Sequence, residues 1–146
     1  KNKLEFGKKQ IKILDEKQKE ILAIYQASKA FISKTKVALF DESVEKLNST
    51  YPSFQELCEN IRRDLAGFIG VEVIKKKKYA INHEDLEKAF KTANDVVNKY
   101  KMLNSVDELL LDIKNDLRSE LSQNVEEINR LKEIMLKNEV ITFDDI

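Results

Sequence analysis

Apolar residues recur along the first third of the chain in steps of three and four, the spacing of an amphipathic helix. This pattern predicts a helical segment from Leu4 to about Leu47. Further apolar residues widen the stripe, which favours a globular bundle over an isolated two-stranded coiled coil. Asp41-Glu42-Ser43 could end one helix and cap the next, so the segment is one helix or two.

The next helix has the clearest start signal in the sequence. Pro52 cannot continue a helix from before it, and Ser53 followed by Glu56 forms a capping-box pattern. We expect Gly67 and Gly70 to mark the end of this helix. Its apolar face is expected to hold Phe54, Leu57, Cys58, Ile61, Leu65 and Phe68.

The stretch 71–81 has no single interpretation. Val71-Glu72-Val73 alternates as a strand does, a run of four lysines follows, and Tyr79-Ala80-Ile81 could form a second short strand. A small hairpin and an irregular loop are equally compatible with this pattern. Asn82 then predicts the start of a third helix, because its side chain can cap the first turn. The apolar stripe of that helix is predicted to be Leu86, Phe90, Ala93, Val97 and Tyr100.

The last predicted helix runs from the capping residue Ser105 to about Lys137, a length of about 50 Å. Its apolar residues follow a heptad pattern, in which a lone Asn often sets the register or the number of partners. A short extended tail, Val140 to Phe143, is expected after it. We take the following residues as a candidate association seam: Leu110, Leu117, Leu121, Asn124, Ile128 and Leu131.

These patterns predict one all-α domain over residues 1–146, an antiparallel bundle of four to five helices with two long terminal helices. Composition agrees, since 42% of the residues are hydrophobic and the chain holds three Gly, one Pro and no Trp. A single Cys excludes a disulfide scaffold within the chain and a multi-cysteine metal cluster. The sequence begins with Lys1, and we expect it to be a fragment of a longer protein.

Candidate catalytic residues are few. His83 is the only histidine and is expected at an exposed helix start, and Cys58 is expected to be at least half-buried in another helix. Neither belongs to a recognisable constellation of nucleophile, base and orienting group. The sequence also has no glycine-rich phosphate loop and no zinc-binding spacing. We therefore expect a protein that is not an enzyme and takes no cofactor or metal.

The strongest charge feature is the run Lys75, Lys76, Lys77 and Lys78. Such a run could contact phosphates of a nucleic acid or an anionic membrane surface. The alternative is a solvated loop tip. The chain carries 26 basic and 26 acidic residues, and this neutral balance argues against a nucleic-acid partner, which usually requires a basic face.

Three short segments carry a family resemblance: Ile24-Tyr25, Leu39-Phe40-Asp41-Glu42-Ser43-Val44 and Glu59-Asn60-Ile61-Arg62-Arg63-Asp64-Leu65. Through them, residues 17–70 resemble the soluble helical tails of uncharacterised bacterial membrane-anchored proteins. The resemblance implies a bacterial or phage origin, a cytoplasmic position and a membrane helix ahead of Lys1. It implies no activity, and a membrane would be contacted only through that missing anchor.

The leading expectation is a non-enzymatic helical domain for protein–protein interaction or oligomerisation, whose partner is another protein or a second copy of itself. One alternative is a surface-displayed domain of the lipoprotein type that binds a host or partner protein. A further alternative is contact with a nucleic acid or an anionic membrane through Lys75 to Lys78.

Overall fold

The computed structural model describes residues 15–34, 37–38, 51–142 and 144–146. Within these ranges the fold is all-α, as predicted, apart from one two-residue ladder, and its helices pack together as a bundle. The elements are α1 (Glu16–Ser33), β1 (Val37–Ala38), α2 (Phe54–Lys75), α3 (His83–Asn94), α4 (Val106–Gln123), α5 (Val125–Asn138) and β2 (Val140–Ile141). A five-residue π-helical turn, Asp95–Lys99, continues α3.

Side-chain caps fix where four of the helices begin. Ser53 and Glu56 form the predicted capping box of α2, in which each side chain binds the backbone N–H of the other residue. These bonds satisfy N–H groups that the first helical turn leaves without partners. The first-turn N–H groups donate to Asp15 in α1, Asn82 in α3 and Ser105 in α4.

Helix α1 lies at the centre of the bundle. It packs against α2 and α5, while α2 also packs against α3 and α4. Every residue from Ala23 to Phe31 is buried, so α1 presents no solvent-facing side over this length. Such a helix must satisfy its polar side chains inside the protein.

Helices α1 and α2 lie in close contact where α2 carries its glycines. A Cβ atom on Gly67 would lie 2.6 Å from the Tyr25 ring, and one on Gly70 would lie 1.8 Å from the Ser28 Oγ. The prediction that these glycines end the helix is therefore wrong, since α2 continues to Lys75. Their role is to leave room for α1.

The possible hairpin over 71–81 is also wrong. Residues 71–75 form the last turn of α2, and 76–82 connect it to α3 without strands. Lys76 ends α2 in the left-handed conformation, with φ of 61°. Helical packing of α2 on α1 outweighs the local strand pattern, because buried Val71 contacts the α1 side of the core.

The single long C-terminal helix of the sequence prediction is two helices in the structure. Asn124 separates α4 from α5, and its side-chain amide donates to the carbonyl oxygen of Glu120 at 2.7 Å. The bend lets α4 pack against α2 and α5 pack against α1. Among the described residues, the longest helix is therefore α2, with 22 residues, rather than a terminal one.

A short ladder joins distant parts of the chain, with Val37 opposite Ile141 and Ala38 opposite Val140 in antiparallel register. Extended structure at Val140 agrees with the predicted tail. The first helix, however, ends at Ser33 rather than near Leu47, so β1 lies where a helix was predicted. The predicted helical start at 4–14, the break at 41–43 and the segment 39–44 of the resemblance lie outside the described residues.

Candidate functional site

A buried ionic cluster joins α1 to α3. Lys29 Nζ donates to Asp85 Oδ2 at 3.0 Å, and the Tyr25 hydroxyl donates to the same oxygen at 2.5 Å. The three residues are no more than 2% exposed. Burying charges this deeply is costly unless they are paired and hydrogen-bonded, and here a carboxylate accepts from both a cation and a hydroxyl.

The buried ionic cluster determines which side of α3 faces the bundle. Asp85 faces inward because it pairs with Lys29. The residues on the same side of α3 are therefore buried too, namely Ala89, Ala93 and Val96. The sequence predicted that Leu86 and Phe90 would face the core, and this is wrong, since both are exposed. Ala93 was also predicted to face the core and is buried, so it belongs to both stripes, and the helix is turned by less than the ~100° that one position represents.

This rotation leaves large apolar side chains in solvent. Phe90 is 58% exposed and Leu86 is 38% exposed, on the same side of α3 and one turn apart. Three more exposed apolar side chains follow at the C-terminal end of the helix. We use the name α3 face for these five exposed residues, two on α3 and three on the turn that follows its π-helical end: Leu86, Phe90, Tyr100, Met102 and Leu103.

Backbone hydrogen bonds hold the C-terminal part of the α3 face in place. The Tyr100 N–H donates to the Asp95 carbonyl at 2.7 Å, which closes the π-helical turn, and the Met102 N–H donates to the Val96 carbonyl at 2.8 Å. Lys101 lies between them in the left-handed conformation, with φ of 56°. Such closures commonly end a helix and satisfy its last carbonyl groups. The apolar side chains are thus presented by a hydrogen-bonded turn.

The lysine run is divided by the structure. Lys75 is part of α2 and donates to Glu20 Oε1 at 2.5 Å, while Lys132 Nζ lies 3.5 Å from the other oxygen of that carboxylate. The hydrogen bond from Lys75 is the main cause that holds the pKa of Glu20 below its usual value. The side chains that remain exposed at this site are Lys76, Lys77 and Lys78.

The candidate association seam lies mostly inside the single chain. Its apolar members are buried, with Leu110 6% exposed and the others fully covered. They belong to the core formed with α1 and α2. Asn124, the polar member, lies at the bend, between the end of α4 and the start of α5. The seam residues with these positions are Leu110, Leu117, Leu121, Asn124, Ile128 and Leu131.

The two candidate catalytic residues lie apart in the sequence and have different environments. His83 is exposed as the first residue of α3, and Cys58 is half-buried in α2. Burial raises the pKa of the Cys58 thiol, which lowers its thiolate fraction at neutral pH. Among the described residues, no group of three or more His, Cys, Asp and Glu side chains could hold a metal ion.

The buried ionic cluster was not predicted from the sequence, although a signal for it exists. Lys29 follows Tyr25 by one helical turn and so occupies a position in the apolar phase of α1. A charged residue in such a phase requires a buried partner. Nothing in the sequence alone identifies Asp85 as that partner, because the two residues are distant along the chain.

Within the described ranges, no helix combines the length and the apolarity needed to span a membrane. Comparison with protein-family models gave no match, and comparison with curated proteins gave none either.

Proposed function

We propose that this chain is a non-enzymatic protein–protein interaction domain whose contact surface is the α3 face. The observation that carries the proposal is the orientation of α3. Its outward side carries Leu86 and Phe90, whereas its buried side carries Ala89, Ala93 and the charged Asp85. A helix that exposes its larger apolar side chains gains by burying them against a partner.

The composition of the α3 face supports this proposal. Aromatic residues and Met are enriched at the centres of protein interfaces, and the face holds Phe90, Tyr100 and Met102. Exposed charges flank them on α3, which is the usual arrangement of an apolar centre with a polar rim. The segment is also held in place by the buried ionic cluster, so little ordering is needed on binding.

The two other candidate surfaces are less suited to a partner. The predicted seam residues Leu117, Leu121 and Ile128 are buried within the chain, so a partner could reach them only if the bundle opened. In the lysine run, Lys75 is already paired with Glu20. The three lysines that remain exposed form a small basic group on a chain without net charge.

Site-specific photocrosslinking tests the proposal in the cells that make the protein. A photoreactive phenylalanine analogue would replace Phe90 in one variant and Glu133, exposed on α5, in a control variant. We expect a crosslinked protein, identified by mass spectrometry, from position 90 and none of that species from position 133. Equal crosslinking from both positions, or none from position 90, would contradict the proposed surface.

A further inference from the structure

Helix α3 buries smaller apolar side chains than the other helices of the described ranges. Its buried apolar residues are two alanines, Ala89 and Ala93, while its larger apolar residues Leu86 and Phe90 lie partly in solvent. Helix α5, of similar length, buries three large side chains: Ile128, Leu131 and Met135. Because the free energy of burial scales with the apolar area removed from water, α3 gains less from its place in the bundle.

The chain on either side of α3 is fixed to the core. Before the helix, Ile81 packs against the buried cluster that contains Tyr25 and Val71. After it, Val96 is fully buried in the main core. Helix α3 is therefore a weakly buried segment between two fixed points. Segments with few buried apolar contacts are the ones that unfold locally in otherwise native proteins.

The buried ionic cluster connects α3 to α1, because Lys29 Nζ and the Tyr25 hydroxyl both donate to Asp85 Oδ2. Local unfolding of α3 would carry Asp85 into water and admit water to Lys29. The free energy spent on desolvating the two charges would then be recovered, so the intact pair adds little net stability to the closed form. Removing one donor to Asp85 destabilises the closed form, since a hydrogen bond to a charged group is lost there and not in the open form.

We propose that α3 is a separately opening unit, which unfolds and refolds between Ile81 and Val96 while α1, α2, α4 and α5 stay folded. The buried ionic cluster sets how often this happens. The proposal does not rest on the proposed function, because it concerns the free chain. Each opening removes Leu86 and Phe90 from their fixed positions, so a partner of the α3 face binds the closed form and suppresses the opening.

Native-state hydrogen exchange of the 146-residue chain, measured by NMR at each amide over a series of low urea concentrations, is the first test. Amides 87–94 are expected to share an opening free energy lower than that of the α1 and α2 amides. Their exchange should also depend less on urea, because local unfolding exposes less surface than global unfolding. Amides 87–94 with the free energy and urea dependence of the α1 amides would overturn the proposal.

I128V on α5 separates local from global opening. It shortens a fully buried side chain, so amides that exchange only through global unfolding should exchange about fivefold faster. Amides 87–94 should keep their wild-type rates, because α5 stays packed against α1 whether α3 is closed or open. Acceleration of amides 87–94 by the same factor as the others would show that α3 opens only with the whole bundle.

Y25F tests the role of the buried ionic cluster. It removes one donor to the Asp85 carboxylate and keeps the ring, so amides 87–94 should exchange about tenfold faster. E87Q, at an exposed position of the same helix, is the matched control and should leave these rates unchanged. Equal rates in Y25F and the wild type would overturn the assignment of the cluster as the contact that sets the opening.

Discussion

Gly70 of α2 lies against Ser28 of α1 with no room for a side chain between them. A Cβ atom on Gly70 would fall 1.8 Å from the Ser28 Oγ and 2.4 Å from its Cβ. The Ser28 hydroxyl in turn donates to the Ile24 carbonyl at 2.8 Å, so it is held within its own helix. The distance between the two central helices is therefore set by the absence of a side chain at position 70.

Replacing Gly70 with Ala should destabilise the protein, although the same change usually stabilises a helix interior. Helix propensity alone would favour Ala by about 0.5–1 kcal/mol. The contact with Ser28 forces α1 and α2 apart, and overpacking of this kind typically costs about 1–3 kcal/mol. Urea unfolding of G70A measures the net effect, which we expect to be destabilising.

A double variant separates the effect of the contact between positions 28 and 70 from the effect of helix propensity. S28G/G70A removes the Ser28 side chain and should recover part of the stability that G70A loses, after allowance for S28G alone. The coupling free energy of this cycle reports the contact between the two positions. A G70A variant as stable as the wild type would mean that the helices can move apart without cost.

Neutralising the buried ionic cluster should show strong coupling between its charges. K29M removes the cation that donates to the buried Asp85 carboxylate, and D85N removes the negative charge that accepts from Lys29. Each single variant should lose about 3–5 kcal/mol of unfolding free energy. K29M/D85N removes both charges of this pair and keeps an acceptor for Tyr25, so it should lose less than the sum of the two. Strict additivity in urea unfolding would contradict the pairing.

Truncation should affect the α3 face and the buried seam differently. Leu117 is fully buried, so L117A should lose about 2–5 kcal/mol of unfolding free energy. Phe90 is 58% exposed, so F90A should change the free energy of unfolding by no more than about 0.5 kcal/mol. Thermal unfolding of both variants at the same protein concentration compares the two. A large loss in F90A would place that ring in the core.

The free energy of unfolding should decrease at acidic pH, in part because Glu20 becomes protonated. Its pKa is lowered in the folded protein, chiefly by the hydrogen bond from Lys75, so ionised Glu20 stabilises the fold above the ordinary value of 4.5. That contribution is lost as pH falls through the folded pKa. The pair is partly exposed, so the loss should be about 0.2–1 kcal/mol.

Two variants isolate this contribution. E20Q should be slightly less stable than the wild type at pH 7, and the difference should shrink as pH falls below about 4.5. K75Q should reproduce the same change, because it removes the other partner. Parallel stability curves for E20Q and the wild type across this range would contradict the assignment.

Local signals in the sequence were sufficient to predict the fold class and the first residues of several helices. Ser53, Asn82 and Ser105 cap the helices they were predicted to cap, since capping depends on residues within one turn. The sequence did not reveal that Asp15 and Gln18 form a further capping box at α1, although the same pattern was present.

The errors arise where contacts between distant residues decide the outcome. The sequence predicted that Gly70 ends a helix, but its contact with Ser28 shows that it makes room for α1. The sequence also predicted Leu86 in the core, but the pairing of Asp85 with Lys29 turns Leu86 outward. Periodicity shows which residues share one side of a helix. It does not show which side faces the core when a buried charge and an apolar stripe lie on different sides. The exposed surface on α3 could not be predicted for that reason.

The bend at Asn124 bears on the order in which the molecule assembles. Helices α2, α3 and α4 follow one another through short connections and contact their neighbours, so their association closes only small loops. Helix α5, by contrast, must find α1, and β2 must find β1, across nearly the whole described chain. Contacts of such high sequence separation are slow to form. We therefore expect α2 to α4 to come together early, and the contacts of α5 with α1 and of β2 with β1 to form last.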